Sequence, residues 1–234
     1  MEEHCNKVLL NSGRKISIIF KVLKKFLITG LICAHLRLKE NGHQNLKQNK
    51  TNKKFVYLIS PNKIENEDFY IDLSLVLKSR KVSFFQLRLK NETIRNKLMI
   101  GKKIRKICSK YKVKFLINDD PILAKKLNAD GCHLGQKDMN IHKAKKILKD
   151  KIIGVTCHNS INLAEKAIAD GADYLAFGAF YSSKTKKVRY KANLRILKLI
   201  KKMTKIPIVA IGGIKLNNYK KLLLNKANFL AISG

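Results

Sequence analysis

Long apolar runs are absent from this chain. No stretch approaches the ~20 consecutive apolar residues that a membrane-crossing helix requires. The apolar segment 16–36 is broken by Lys21, Lys24 and Lys25. Its charge-free piece, 26–36, is too short to span and lacks a small-residue cleavage site, so a cleaved secretory signal is not expected. Acidic residues are scarce as well: 16 Asp and Glu against 50 Lys and Arg leave a formal net charge of +34. Such an excess raises the local concentration of anionic ligands. It has two readings, an anionic macromolecular partner or a global bias that inflates Lys, Asn and Ile together. The basic residues are spread along helix faces, not gathered in one tract, and no aromatic–basic interleaving is present, so no nucleic-acid partner is expected. Paired cysteines are also missing. Cys5, Cys33, Cys108, Cys132 and Cys157 are odd in number, never form C-x-x-C, and share no zinc-ligand spacing with the six His. That disfavours a disulfide framework and a structural zinc site, and points to reduced, mostly buried thiols in a cytoplasmic protein.

What is present supports a folded domain. A chain of 234 residues with 45% apolar content and ten Phe is long enough to bury a real core. Residues 1–54 read as an extension: a basic amphipathic helix over 16–36, resting on a membrane surface or on the domain, then a polar linker over 37–54. From residue 55 the pattern changes. Strands are predicted at 55–60, 82–88, 113–117, 130–134, 152–156, 173–178, 207–211 and 228–232. Helical periodicity falls between them, as at 94–107, 121–127, 164–169 and 194–203. Eight strands alternating with seven helices indicate a parallel α/β protein. The expected architecture over 55–234 is a compact (β/α)8 TIM barrel, with a doubly wound sheet as the alternative.

In a barrel, functional side chains collect where the strands end. Asp119 follows the third predicted strand and Asp138 the fourth, so parallel pairing would set both carboxylates on one rim. Two hard oxygen ligands suit a magnesium ion that carries a phosphorylated substrate. Asp120, ahead of Pro121, is the more natural helix cap and Asp119 the more natural ligand. In Gln86-Leu87-Arg88-Leu89-Lys90, period-two alternation turns Gln86 and Arg88 to one side, which is costly inside a barrel unless an anion or hydrogen-bonding group meets them. His133 reads as a hydrogen-bonded interior residue, Cys157 as packing, and His158 as lining either the site or a turn. The hydroxyl-and-lysine loop 178–187 has the make-up of a mobile lid over a phosphate. Gly212-Gly213 and Ser233-Gly234 end strands seven and eight, where such barrels commonly hold a phosphate.

Together, YLIS, QLRLK, LIND, ADGCHLGQKD, IGVTCHN, GADYLAFGAF, SSKTK and IPIVAIGGI, in this order, resemble the thiamine-phosphate synthase family over 55–234. The resemblance implies an enzyme that joins a hydroxymethylpyrimidine diphosphate to a phosphorylated hydroxyethylthiazole, giving thiamine phosphate and pyrophosphate. It implies Mg2+ held by Asp119 and Asp138. Gln86, Arg88, Lys90, Asn118, Thr156 and Lys186 would contact the pyrimidine diphosphate, with Arg88, Lys90 and Lys186 stabilising the departing charge. Ser183 and Thr185 would contact the thiazole side, and Gly213, Ile232 and Ser233 would cradle its phosphate. A related thiazole tautomerase branch does not need the complete Gln86/Arg88/Lys90 and Asn118/Asp119/Asp138 sets. Thr156 stands where the family usually has Ser, and Ser182-Ser183 where it has Pro-Thr. The family's eighth helix would fall beyond Gly234, so a bare apolar strip is expected at the seam between strands eight and one, with segment 16–36 as its expected cover. A truncated, catalytically impaired homologue is the alternative expectation.

Overall fold

The computed structural model describes residues 55–182 and 190–233. The expected helix over 16–36 and its linker lie outside the described residues. Eight strands occur where the sequence pattern puts them: β1 (Val56–Ile59), β2 (Val82–Leu87), β3 (Lys114–Asn118), β4 (Gly131–Leu134), β5 (Ile152–His158), β6 (Tyr174–Gly178), β7 (Ile208–Ile211) and β8 (Phe229–Ser233). Neighbours pair in parallel in sequence order, and β1 pairs with β8 through Val56–Leu230 to Ile59–Ser233, so the sheet closes into a barrel. The doubly wound alternative is thereby excluded. β5 runs two residues past its predicted end because its ladder with β6 resumes at His158 after an irregularity.

Seven helices are described, one after each of β1 to β7: α1 (Asp68–Lys78), α2 (Ile94–Lys110), α3 (Pro121–Lys126), α4 (Ile141–Leu148), α5 (Ile161–Ala169), α6 (Leu194–Met203) and α7 (Tyr219–Leu224). Side chains of Thr93, Asp120, Asn140, Ser160 and Asn193 accept the first free N–H groups of α2 to α6, which fixes where each helix begins. One stripe of each helix packs on the strands, as with Ile100, Ile104 and Cys108 of α2. Burying such an Ile contributes about 1.5–3 kcal/mol. At the β8–β1 seam, Val56, Leu58, Leu230 and Ile232 belong to this outer core and are buried, so no bare apolar strip is found on those two strands.

The barrel interior has its own core. Tyr57, Leu116, Tyr174, Ala176, Val209 and Ala231 pack with Phe84 and Phe229 into a plug, in which Tyr57, Tyr174 and Phe229 lie 5.0–5.9 Å from the Phe84 ring. At the amino-terminal edge, three Asx residues stitch strands together in one manner. Asp130, Asp173 and Asn228 each accept the backbone N–H of Phe115, Ile153 and Ile208 at 2.8–2.9 Å. Each also donates its own N–H to the same residue's carbonyl. The clamp recurs ahead of β4, β6 and β8, at the edge opposite the strands' carboxyl ends.

Candidate active site

The site is built from the carboxyl ends of the strands. Gln86 is 3% exposed inside the barrel. Its Nε2 donates to Asn118 Oδ1 at 2.5 Å, and its Oε1 accepts the Tyr57 hydroxyl at 2.8 Å. Gln86 therefore meets the hydrogen-bonding groups that the alternation required of it. Arg88, two residues on, is half-buried, and burial lowers its pKa while Asp119 opposes the shift. Two residues of the β1 loop steady it. Its N–H donates to Ser60 Oγ at 2.8 Å, and its guanidinium bonds Asn62 Oδ1. Ser60 passes its own hydrogen to the Pro61 carbonyl, so its oxygen is left to accept.

Asp119 and Asp138 meet on the rim, as parallel pairing of β3 and β4 requires. Asp119 adopts φ +64°, a left-handed conformation that Asp tolerates better than most residues, with its N–H tied to the His133 carbonyl at 2.8 Å. Its carboxyl pKa is pushed up to about 6, by burial first and then by hydrogen bonding to Asp138 and that residue's charge; Lys90 and Arg88 oppose this. Asp138 folds back so that its Oδ2 accepts the Gly135 N–H at 2.7 Å. A Cβ on Gly135 would stand 2.8 Å from that oxygen, so a larger residue there would push the Asp138 carboxyl aside. Asp120 caps α3 through Leu123 N at 2.9 Å, the cap expected of it. A cavity of about 340 Å3 opens beside this rim, walled by Leu87, Leu89, Ile117 and Leu123 and reached by Lys90, Asn118 and Asp119. It flanks the barrel mouth, where Gln86 and Thr156 sit.

Two acidic ligands suit Mg2+ better than zinc. Among the described residues no three or more His, Cys, Asp and Glu converge, so a protein-only zinc cage is not found there, and the rim offers the Asp119 and Asp138 carboxylates. Magnesium characteristically takes one or two carboxylates and completes its octahedron with water and substrate phosphate. Two carboxyls so close that one is driven to keep its proton are also what a divalent ion would relieve.

Thr156 hydrogen-bonds His133 Nε2 through Oγ1 at 2.8 Å, and Gln136 Nε2 donates to its carbonyl at 2.5 Å. His133 is an interior hydrogen-bonded residue, as expected, and burial pushes its pKa down to about 4. His158 takes φ +53° and stacks on Tyr190 at 4.2 Å. Gly212 and Gly213 take φ +102° and +59° and lie against the loop after β6; added Cβ atoms would fall 2.3 Å from the Ala179 side chain and 2.5 Å from the Ser182 carbonyl. Their lack of side chains thus serves packing of that loop as well as any phosphate. Ser233 is exposed on the rim, whereas the Ile232 side chain turns outward into the helix-facing core, so Ile232 offers the site only its backbone. Ser183, Thr185 and Lys186 lie outside the described residues. Tyr57, Tyr174, Ser60, Asn62 and Gln136 were missed. The two tyrosines share parity with Ile59 and Ala176, but only the closed barrel shows that this parity faces inward.

A family model described as thiamine monophosphate synthase matches residues 56–234. The chain is 79% identical over 189 residues to the thiamine-phosphate synthase of Pelagibacter ubique, covering 81% of this chain and 91% of that one. It is 39% identical to the thiamine-phosphate synthase of Nitrosomonas eutropha, covering 76% and 84%. Among solved structures, thiamine phosphate pyrophosphorylase from Pyrococcus furiosus superposes with TM-score 0.68 at 31% identity, covering 78% of this chain and 86% of that one. With most of its length matched, the chain belongs to the thiamine monophosphate synthase family.

Proposed function

We propose that the β2–β4 rim holds a hydroxymethylpyrimidine diphosphate together with Mg2+, and that a phosphorylated hydroxyethylthiazole is seated between the ends of β7 and β8. The activity itself, thiamine-phosphate synthase in thiamine biosynthesis, follows from the family and the 79% identity. The observation that carries the residue-level reading is the Asp119–Asp138 pair, hydrogen-bonded carboxyls within reach of the Arg88 and Lys90 charges. Asp119 and Asp138 would hold the Mg2+, which when bound supplies neutralising charge to the leaving diphosphate.

The chemistry exchanges one bond for another. The C–O bond between the pyrimidine methylene and the diphosphate breaks, and the electron pair leaves with diphosphate. The thiazole nitrogen then donates its lone pair to that carbon, forming the C–N bond of thiamine phosphate. No proton has to move, so the site needs positive charge and positioning more than a general base. Arg88 and Lys90, joined by Lys186, stabilise the charge on the departing group. Gln86, Asn118 and Thr156 orient the pyrimidine, whose 4-amino group supports the developing cation. Ser183, Thr185, Gly213, Ile232 through its backbone, and Ser233 hold the thiazole phosphate.

The test is direct. The protein, incubated with both phosphorylated precursors and Mg2+, should form thiamine phosphate, read by chromatography after oxidation to the fluorescent thiochrome ester. Asp119→Ala and Asp138→Ala should each lose roughly 10²–10³ in rate, the scale of removing one charge-stabilising contact. Near-normal turnover in both variants overturns the metal assignment, and a wild-type protein that forms no product overturns the coupling reaction.

A further inference from the structure

Beneath the rim, a chain of side-chain hydrogen bonds crosses the barrel from one wall to the other. Asn118 Oδ1 accepts from Gln86 Nε2 at 2.5 Å, and Gln86 Oε1 accepts from Tyr57 at 2.8 Å. The Tyr57 and Tyr174 hydroxyls are 2.7 Å apart, Tyr174 lies 2.8 Å from His133 Nδ1, and His133 Nε2 lies 2.8 Å from Thr156 Oγ1. Six side chains, one from each of β1 to β6, are joined end to end. We infer that Tyr57, Tyr174 and His133 are positioning residues: a strut of fixed polarity that makes Gln86 and Asn118 donors, and Thr156 an acceptor, toward the pyrimidine substrate. The inference rests on the reading above that Gln86, Asn118 and Thr156 face that substrate.

The polarity follows from counting hydrogens. Tyr57 has one hydrogen and gives it to Gln86, so its oxygen can only accept, and the hydroxyl of Tyr174 supplies that bond. Tyr174 has then spent its hydrogen, and accepts from His133 Nδ1–H. A neutral imidazole carries one N–H, so Nε2 is bare and takes the hydrogen of the Thr156 hydroxyl. One choice of direction sets all the others. The direction found leaves the Asn118 amide hydrogens and the second Gln86 N–H free to turn to the site. The reverse direction would present the Asn118 carbonyl oxygen beside Asp119, where an anionic substrate must bind. Both tyrosines are 1–2% exposed, and burial lifts their pKa values above that of a free phenol, so both hydroxyls keep their hydrogens.

A second observation shows that the barrel is shaped around the strut. On β5, a Cβ at Gly154 would fall 1.8 Å from Tyr174 Cζ, inside the ring. The strand therefore omits a side chain at the place where Tyr174 crosses the interior. The His133 and Tyr174 rings are stacked at 5.6 Å, and Tyr57 meets Tyr174 edge-on at 5.8 Å, so the rings have little freedom to turn out of line.

The experiment uses the full chain, labelled with ¹⁵N-histidine, with the His133 signals identified by their loss in His133→Gln. The strut predicts a proton on Nδ1 and none on Nε2 in the wild type. In Tyr174→Phe the Nδ1 proton loses its acceptor, and the tautomer should shift toward Nε2–H. Kinetically, Tyr174→Phe should raise KM for the pyrimidine diphosphate by roughly 10-fold, the scale of a buried donor left without a partner, while KM for the thiazole phosphate stays unchanged. Adding Tyr57→Phe should cost little more, within about twofold, because the strut is already broken. A wild-type Nε2–H tautomer, additive penalties, or equal rises in both KM values would each overturn the inference. Should the wild type make no thiamine phosphate, the proposed coupling reaction fails, and the tautomer measurement still tests the strut.

Discussion

Lowering the pH from 7 to 5 should weaken Mg2+ binding by about tenfold, and the reason lies in Asp119. An ordinary aspartate, with pKa 3.8, stays ionised across that range, so its metal affinity would barely change. Asp119 is instead raised to about 6, because it is half-buried, because its protonated form can hydrogen-bond to Asp138, and because the Asp138 charge opposes its ionisation, while Lys90 and Arg88 only partly compensate. Metal binds the deprotonated carboxylate. The ionised fraction falls from roughly nine in ten at pH 7 to roughly one in ten at pH 5, and apparent affinity follows that fraction. The sign is set by the direction of the shift: a raised carboxyl pKa holds its proton to higher pH, so affinity disappears as pH falls through about 6. Two measurements check it. Carboxyl ¹³C titration of metal-free protein should give an Asp119 midpoint near 6. Calorimetric Mg2+ titration at pH 6 should release about half a proton per ion bound. In Asp138→Asn the midpoint should fall but stay above 3.8, because burial, the larger cause, is unchanged. A midpoint near 3.8 in the wild type, with affinity flat between pH 5 and 7, would refute the reasoning.

The other predictions concern the scaffold around the site. Asp173→Ala removes the acceptor of the Ile153 N–H, and should cost about 1–3 kcal/mol in urea unfolding with both KM values unchanged. Asp120→Ala deletes the α3 cap and should cost about 1 kcal/mol, whereas Asp119→Ala acts on turnover; comparable catalytic losses in the two would contradict the division between cap and ligand. In Gly213→Ala, the new Cβ would lie 2.5 Å from the Ser182 carbonyl at a backbone φ of +59°, so the loop after β6 must shift. The expected reading is a higher KM for the thiazole phosphate with little change for the pyrimidine diphosphate. Asn62→Ala frees the Arg88 guanidinium and should raise KM for the pyrimidine diphosphate alone.

The strands were legible because barrel strands are buried on both faces and read as short apolar runs between turns. β1 is buried at all four positions and β6 at all five. Such runs give away where a strand is but hide which side faces inward. That is why Asp119, Asp138, Gln86 and Arg88 could be picked out, being polar groups at the ends of apolar segments, while Tyr57 and Tyr174 could not. Those two tyrosines are 117 residues apart, and only closure of the barrel brings their hydroxyls to 2.7 Å. Gly154 carried a trace of the same fact, since a glycine mid-strand marks close approach of another group. Ser60 and Asn62 were hidden for another reason: they support Arg88 from a neighbouring loop, and no local pattern records a partner 26–28 residues away.

The site divides into two levels that fail differently. In the proposed function, Asp119, Asp138, Arg88 and Lys90 at the rim would act by charge, and their effect on a departing diphosphate would grow as the reaction proceeds. Interactions of that kind are felt in turnover. Below it, the strut carries no net charge and acts by holding amides and a hydroxyl in one orientation, equally in the bound substrate and in the transition state. Uniform binding of that sort moves KM and leaves kcat nearly constant. The two levels meet at Asn118, which receives the last bond of the strut and directly precedes Asp119 in sequence. Asn118→Asp is therefore the informative substitution at the junction: it keeps an acceptor for Gln86, removes the outward amide hydrogens, and adds a third carboxylate to the rim. It should raise KM for the pyrimidine diphosphate through the lost donors and lower turnover through the added negative charge. Asn118→Ala should raise KM with a smaller effect on kcat. If both variants changed kcat alone, Asn118 would belong wholly to the charged level, and the strut would end at Gln86.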